Sequence, residues 1–385
     1  MELAFPKFDE RERELIGQCL ESRWVTQGPM VRRFEELFAA RQRVPFSAAA
    51  SSGTAALHLA VLALGIGPGD EVIVPAYTWV SSAHCVEYAG AKAVLVDIDL
   101  STYNLDPQAA AAAITPRTRA ILPVHLFGLP AEMDSIRNLA EKHNLAVIED
   151  AACAVGSEYQ GSPLGGLGDV GCFSFHPRKI ISTGEGGMVT TRDAGLADRV
   201  RSLRNIGAGA PREAAAGQAR PYHLSTFDVL GYNLRMSDIL AAVGVAQMEK
   251  LDNLLAERRG LAQRYDALLG EMDGVAIPAV PADCSMNYQS YVVRVTRGGL
   301  ATRNHLMDAL VERNIASRPG THAVHRLGYY VQKYHLRPED CPNAARAEDE
   351  TISIPLFPGM TSKNQDLVAE TIQQALGRVQ DKGAA

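Results

Sequence analysis

The sequence predicts an α/β protein, with a large unit on a mainly parallel sheet followed by a smaller α+β unit. Three observations carry this. Between positions 71 and 148 short apolar runs alternate with segments of helical length; strands joined through helices need crossover connections, which favour parallel pairing with both sheet faces covered. A long helical pattern from 239 to 269 is followed by only two apolar strand runs, at 291–296 and 351–354. The chain has 385 residues, and single cores stop growing near about 250–300 residues, so two compact units fit the length. The division is placed at residue 246, giving units of 1–245 and 246–385.

The elements follow in order. Residues 8–22 and 30–41 read as amphipathic helices separated by a turn at 24–29. The small and hydroxyl residues of 48–57 open a helix running to 64, and a glycine-rich turn at 65–70 launches the strand 71–74. Helices at 81–88, 106–113 and 131–143 alternate with strands at 93–96, 119–124 and 146–148. Two more β-forming runs, 170–175 and 187–190, flank a glycine-rich turn, and 206–230 is a long Gly-, Ala- and Pro-rich loop, a kind usually functional or disordered. Ser237 or Asp238 caps the 239–269 helix, and helices at 302–313 and 363–376 complete the small unit.

Composition narrows the function. With 46% hydrophobic and 21% charged residues, the chain has the make-up of a packed globular protein. A net charge of −6 argues against nucleic acid or an anionic membrane surface as partner. The six cysteines contain no Cys-x-x-Cys pair, so neither a disulfide framework nor a zinc ribbon is indicated. The first ten residues lack an apolar core segment and no run of about 18 apolar residues occurs, which leads us to expect a cytoplasmic protein with reduced thiols. His322, His325 and His335 have no carboxylate or cysteine to complete a set, so no metal is expected. No Gly-x-Gly-x-x-Gly follows a strand, and no Walker motif is present.

Candidate chemistry gathers at three places. Lys179 lies in the turn between the runs at 170–175 and 187–190, with Ser174 upstream and Thr183-Gly184-Glu185-Gly186-Gly187 downstream. A loop lysine is ordinarily a solvated charge. Glu149-Asp150 closes the strand at 146–148, and ligands of such sheets collect at the carboxyl ends of the strands; Trp79, after the strand at 71–74, falls on the same rim. Ser52-Gly53-Thr54 opens a helix, whose free N–H groups and dipole favour an anion, although plain N-capping explains the same residues.

The pattern Phe173-Ser174-Phe175, Lys179, Thr183-Gly184-Glu185-Gly186-Gly187, together with Asp150 and Asn233, resembles the DegT/DnrJ/EryC1/StrS sugar aminotransferase family. Its members are pyridoxal 5'-phosphate enzymes of fold type I. The resemblance spans essentially the whole chain. It implies that Lys179 condenses with the cofactor aldehyde and later serves as general acid and base, while Asp150 keeps the pyridine nitrogen protonated. It implies that Ser52, Gly53, Thr54 and Ser174 hold the phosphate and that Trp79 stacks on the ring. Cys153 stands where many relatives carry a histidine beside the phenolic oxygen. Asn233 matches an asparagine reaching the phosphate of the neighbouring subunit, which implies a homodimer with sites at the interface. Arg318, His322 and Tyr329 fall where relatives contact the sugar nucleotide, although ordinary packing of the small unit explains the same residues. The implied activity is transfer of an amino group from glutamate or glutamine to the ketone of a nucleotide-linked sugar. Trp79, where many sugar enzymes have phenylalanine, leaves open amination of a free keto-cyclitol, and a catalytically silent cofactor-binding regulator is a further alternative. Dehydratase relatives replace the lysine with histidine, so Lys179 speaks against that activity.

Overall fold

The computed structural model describes residues 1–209, 220 and 222–383. Its centre is a seven-stranded sheet. Five strands run parallel, in the spatial order Val170–Ser174, Ala146–Asp150, Thr118–Ile121, Glu71–Pro75 and Lys92–Val96. Gly187–Thr191 and then Phe46–Ala50 extend the sheet antiparallel beyond Val170–Ser174. The strand Phe46–Ala50 corrects the expectation of a helix opening at 48, which begins instead at Gly53 and runs to Ala63. Three consecutive alanines favour a helix locally. Ala48, Ala49 and Ala50 are all buried, however, and pair with Val189, Met188 and Gly187, so tertiary burial sets their conformation.

Alternation along the strands divides the core between two faces. Val170 and Cys172 pack with the apolar helix Gly53–Ala63, whereas Phe173 points to the opposite side. There Phe34 and Phe38, one turn apart on the helix Pro29–Gln42, meet Phe175 at ring-centroid distances of 5.0 and 5.5 Å, and Phe38 meets Phe173 at 4.8 Å. These aromatics fix the strand that leads into the Lys179 turn.

The pattern at 239–269 forms two helices, Asp238–Glu249 and Leu251–Leu269, because Lys250 leaves helical geometry (φ −112°, ψ 7°). Asp238 binds the backbone N–H groups of Gly28, Met30 and Val31, tying this region to the start of the second helix. In the C-terminal part of the chain a three-stranded antiparallel sheet, Val275–Ala276, Tyr291–Val295 and Thr351–Ile354, packs with Leu251–Leu269, Gly299–Glu312 and Ser362–Gly383 into a third core cluster. The helices Ala194–Arg204, Gly328–Tyr334 and Pro342–Glu350 had no counterpart in the sequence reading. Of the loop expected at 206–230, residues 210–219 and 221 lie outside the described residues. Among the described residues no helix is long and apolar enough to cross a membrane.

Candidate active site

A cavity of about 390 Å³ opens at the carboxyl ends of the parallel strands, a volume in the range of small-molecule sites. Its walls come from the start of the helix Gly53–Ala63, the segment around Trp79, the end of Ala146–Asp150, the Lys179 turn, and Gln289, Arg318, Gly320 and Thr321 of the C-terminal unit.

The period-2 alternation of a strand sends Glu149 and Asp150 to opposite sides. Asp150 lines the cavity, where Oδ2 accepts from the Ser82 hydroxyl at 2.6 Å and Oδ1 from the Ala152 N–H at 3.1 Å. Ser82 is itself linked to Thr78 Oγ1 at 2.9 Å. The carboxylate is therefore fixed in direction before any ligand arrives. Glu149, fully buried, accepts from Gly165, Leu167 and Gly168 N–H groups, each at 2.7 Å, and pairs with His125 Nε2 at 3.0 Å. His125 Nδ1 accepts from the Ala131 N–H at 3.1 Å, which places the ring proton on Nε2, facing Glu149. Burial works to raise the Glu149 pKa, but the His125 contact and the N–H groups of Gly168 and Gly165 outweigh it, and the carboxyl is held below its ordinary value.

Lys179 sits in a turn closed by hydrogen bonds from its own N–H to His176 O and from Thr183 N–H to Phe175 O. Gly184 takes φ +85° there, a left-handed conformation that glycine adopts without strain. The lysine Nζ donates to Cys153 Sγ at 3.1 Å.

Across the cavity, Ser52 caps the helix by accepting from Ala55 N–H at 3.1 Å, and the first intrahelical bond runs from Ala56 N–H to Ser52 O at 3.0 Å. The N–H groups of Gly53 and Thr54 precede that bond and form the positive end of the helix. A Cβ on Gly53 would lie 2.6 Å from Ser174 Cβ, so only glycine lets the helix start approach the strand end this closely. Thr54 Oγ1 bonds Ser81 Oγ at 2.8 Å. The hydroxyls of Ser52, Thr54 and Ser174 thus converge with two backbone donors, a set suited to a phosphate dianion. With an amine and a fixed carboxylate on the same walls, these residues fit pyridoxal 5'-phosphate.

The structure brings Ser52, Gly53, Thr54, Trp79, Asp150, Cys153, Ser174, Lys179 and Arg318 to one cavity. It leaves three of the sequence-predicted residues off its wall. His322 lies behind Trp79, with ring centroids 5.6 Å apart, and pairs with Thr78 through the backbone. Tyr329 is exposed, donating to Glu87 Oε2 at 3.1 Å and accepting from Lys333 at 3.0 Å. Asn233 forms a backbone bridge with Asn205.

Sequence reasoning missed Ser81, His176, Arg178, Glu185 and Gln289 as cavity residues, and Ser82 as the residue that holds Asp150. Arg178 and Ser81 had a signal in their places beside Lys179 and on the Trp79 rim; Gln289 comes from a distant segment and had none. Burial lowers the pKa of His176, helped by Lys179, Arg178 and Arg318 against the opposing pull of Glu185. The Arg318 guanidinium is likewise shifted down, first by burial and then by Arg178.

The chain matches the model of the DegT/DnrJ/EryC1/StrS aminotransferase family over residues 6–373. It is 40% identical to a GDP-perosamine synthase of Caulobacter vibrioides over 376 residues, covering 97% of this chain and 98% of that one. It is 37% identical to a GDP-perosamine synthase of Escherichia coli O157:H7, covering 96% of each. Among solved structures, an aminotransferase, TlmJ, from Streptoalloteichus hindustanus superposes with a TM-score of 0.90 at 30% identity, covering 99% of this chain and 100% of the other. The chain belongs to the DegT/DnrJ/EryC1/StrS aminotransferase family and is a pyridoxal 5'-phosphate-dependent sugar aminotransferase of fold type I.

Proposed function

We propose that the protein transfers the amino group of glutamate or glutamine to the ketone of a nucleotide-linked sugar, with a guanosine diphosphate sugar as the first substrate to test. The observation that carries this is the placing of an amine, a pre-aimed carboxylate and a hydroxyl-lined helix start on the walls of one cavity. Two relatives, both GDP-perosamine synthases, support the nucleotide and the amino-sugar product. When bound, pyridoxal 5'-phosphate supplies an electron sink for the charge left as a carbon loses its proton.

The chain's own groups do the rest. Lys179 Nζ would hold the cofactor covalently and, once freed by the donor's amine, would take the proton from the donor's amine-bearing carbon. Asp150, with one oxygen on Ser82 and the other on Ala152 N–H, would keep the ring nitrogen protonated. Ser52, Gly53, Thr54 and Ser174, all on the cavity wall, would hold the phosphate, with Trp79 stacking on the ring and Cys153 serving the phenolic oxygen. Arg318 is the proposed substrate contact in the cavity; His322, beside Trp79, and Tyr329, bound to Glu87 and Lys333, would contact substrate from positions off the cavity wall. Asn233 serves the site of a second copy in a homodimer, a role compatible with its place off this chain's cavity.

Purified protein given glutamate and a GDP-linked keto sugar is expected to yield the amino sugar nucleotide and 2-oxoglutarate. Turnover of a free keto-cyclitol alone would shift the assignment to that substrate. A cofactor spectrum unchanged by every amino donor would identify a silent regulator. Lys179→Ala is expected to bind the cofactor noncovalently and to lose turnover. Borohydride treatment of the wild type should leave a pyridoxyl adduct on the peptide holding residue 179, and an unmodified peptide from loaded protein would overturn the role.

A further inference from the structure

Lys179 Nζ and Cys153 Sγ stand 3.1 Å apart, although the Lys179 turn and the segment that follows Asp150 are separate stretches of chain. Their meeting depends on the backbones behind them, and both are held by one stretch far along the sequence, Asn287-Tyr288-Gln289. Fully buried Asn287 accepts the Gln289 N–H on Oδ1 at 2.8 Å, which turns its Nδ2 to the carbonyls of Cys153 at 2.9 Å and Val155 at 2.8 Å. Gln289 Nε2 donates at 2.8 Å to the carbonyl of Arg178, the residue before Lys179, and its Oε1 accepts from Ser290 Oγ at 3.1 Å. The stretch itself is fixed from three directions. Tyr288 takes φ +52°, a left-handed conformation that costs a tyrosine free energy and persists only where its surroundings enforce it. Buried Arg258 enforces it, donating through Nε to Tyr288 O at 2.8 Å and through Nη2 to Gln289 O at 3.0 Å. A Cβ on Gly128 would lie 1.8 Å from Asn287 Oδ1, so the amide is packed without slack.

We infer that Asn287 and Gln289 are positioning residues for amino transfer, a clamp that holds the backbone at Cys153 with one amide and the backbone at Lys179 with the other. The inference rests on the role proposed for Lys179. Gln289 lines the cavity, yet both polar atoms of its amide are engaged by the protein, which marks it as a holder of the turn and not as a ligand contact. Moving a proton from carbon to Nζ demands close placement of the amine, and a displacement of about 1 Å can cost about a hundredfold in rate. A lysine side chain is flexible, so its reach into the cavity is set by where its backbone is pinned and by what its Nζ meets. The clamp governs both, through Arg178 O on one side and Cys153 O on the other. Arg258 stands behind it, acting through the carbonyls of Tyr288 and Gln289.

The test follows the glutamate half-reaction of the loaded enzyme by stopped-flow absorbance, without any sugar. Gln289→Met keeps the length of the side chain and removes its donor to Arg178 O. It is expected to lower the maximal rate about tenfold, the scale of one lost hydrogen bond, and to leave the glutamate concentration at half-maximal rate within about twofold. Glutamate deuterated at its amine-bearing carbon should react more slowly than ordinary glutamate by at least as large a ratio in the variant as in the wild type, because transfer of that proton is the step impaired. In protein stripped of cofactor and given pyridoxal 5'-phosphate, borohydride trapping at timed intervals should find the adduct on residue 179 forming about fivefold more slowly. Arg258→Lys, which has no planar fork to span two carbonyls, should move the same readings in the same direction and gives a second variant should the first fold poorly. Unchanged maximal rates in the loaded variants overturn the clamp. So does a loss confined to glutamate affinity, which would make Gln289 a donor contact, and so does an isotope ratio that falls towards one, which would place the damage at another step. A wild type that carries no adduct on residue 179 refutes the role of Lys179 instead, so the two failures are told apart.

Discussion

At the scale of single residues, the neighbours Glu149 and Asp150 do opposite work because a strand turns them to opposite sides. Asp150 faces the cavity, and Glu149 anchors the turn at 165–168 and His125 from within the core. Removing the Glu149 carboxylate strands the N–H groups of Gly165, Leu167 and Gly168 and His125 Nε2 at once. Glu149→Ala should therefore lose about 3–5 kcal/mol of stability in urea titrations. The folded-state pKa of Glu149 is depressed, so its contribution is present above the unfolded value of about 4.3 and is lost as pH falls through the lower folded value. Stability of the wild type should accordingly drop on acidification below about pH 4.3, and Glu149→Ala should show a shallower drop. The sequence displayed the acidic pair and its strand-end position, and the resemblance supplied the role of Asp150. Nothing local in the sequence announced that Glu149 would be saturated by a turn some sixteen residues ahead.

At the scale of elements, the helix Gly53–Ala63 carries much of the site's geometry. Its N-terminal groups meet Ser174 because Gly53 has no Cβ to hold the two apart. Gly53→Ala should weaken cofactor binding about tenfold in equilibrium dialysis, through displacement of the helix start and loss of its hydrogen bonds to the phosphate. The alternation of strand and helix runs was legible, as at Ser81–Tyr88, which the sequence reading placed at 81–88. The strand Phe46–Ala50 was hidden because its alanines carry no β signal and are defined by pairing with Met188 and its neighbours. The break at Lys250 was hidden too, since the glycines of this pattern, Gly244 and Gly260, lie inside the two helices and none stands at the break. The short helices Gly328–Tyr334 and Pro342–Glu350 lie in a stretch where buried Tyr330, Ala344 and Ala347 join the core cluster on one face of the seven-stranded sheet, a tertiary effect that periodicity does not record.

At the scale of the whole molecule, the proposed homodimer accounts for apolar side chains left in the open. Leu224 and Leu230 are 85% and 90% exposed, and Phe227 and Tyr222 stand beside them, just before Asn233. A monomer rarely leaves such a group uncovered. Light scattering should find a dimer, and Leu224→Asp with Leu230→Asp should yield monomers that also bind the cofactor more weakly, because Asn233 then has no second site to serve. A wild-type monomer that binds cofactor fully would refute this arrangement.

The half-exposed indole of Trp79 on the cavity wall has an optical consequence as well. The chain has only one other tryptophan, Trp24, so Trp24→Phe leaves a single emitter beside the ring-binding space. Its ultraviolet emission should dim as the vitamin B6 chromophore arrives and recover once an amino donor has freed it from Lys179 and dialysis has removed it, so that the protein reports its own loading by light.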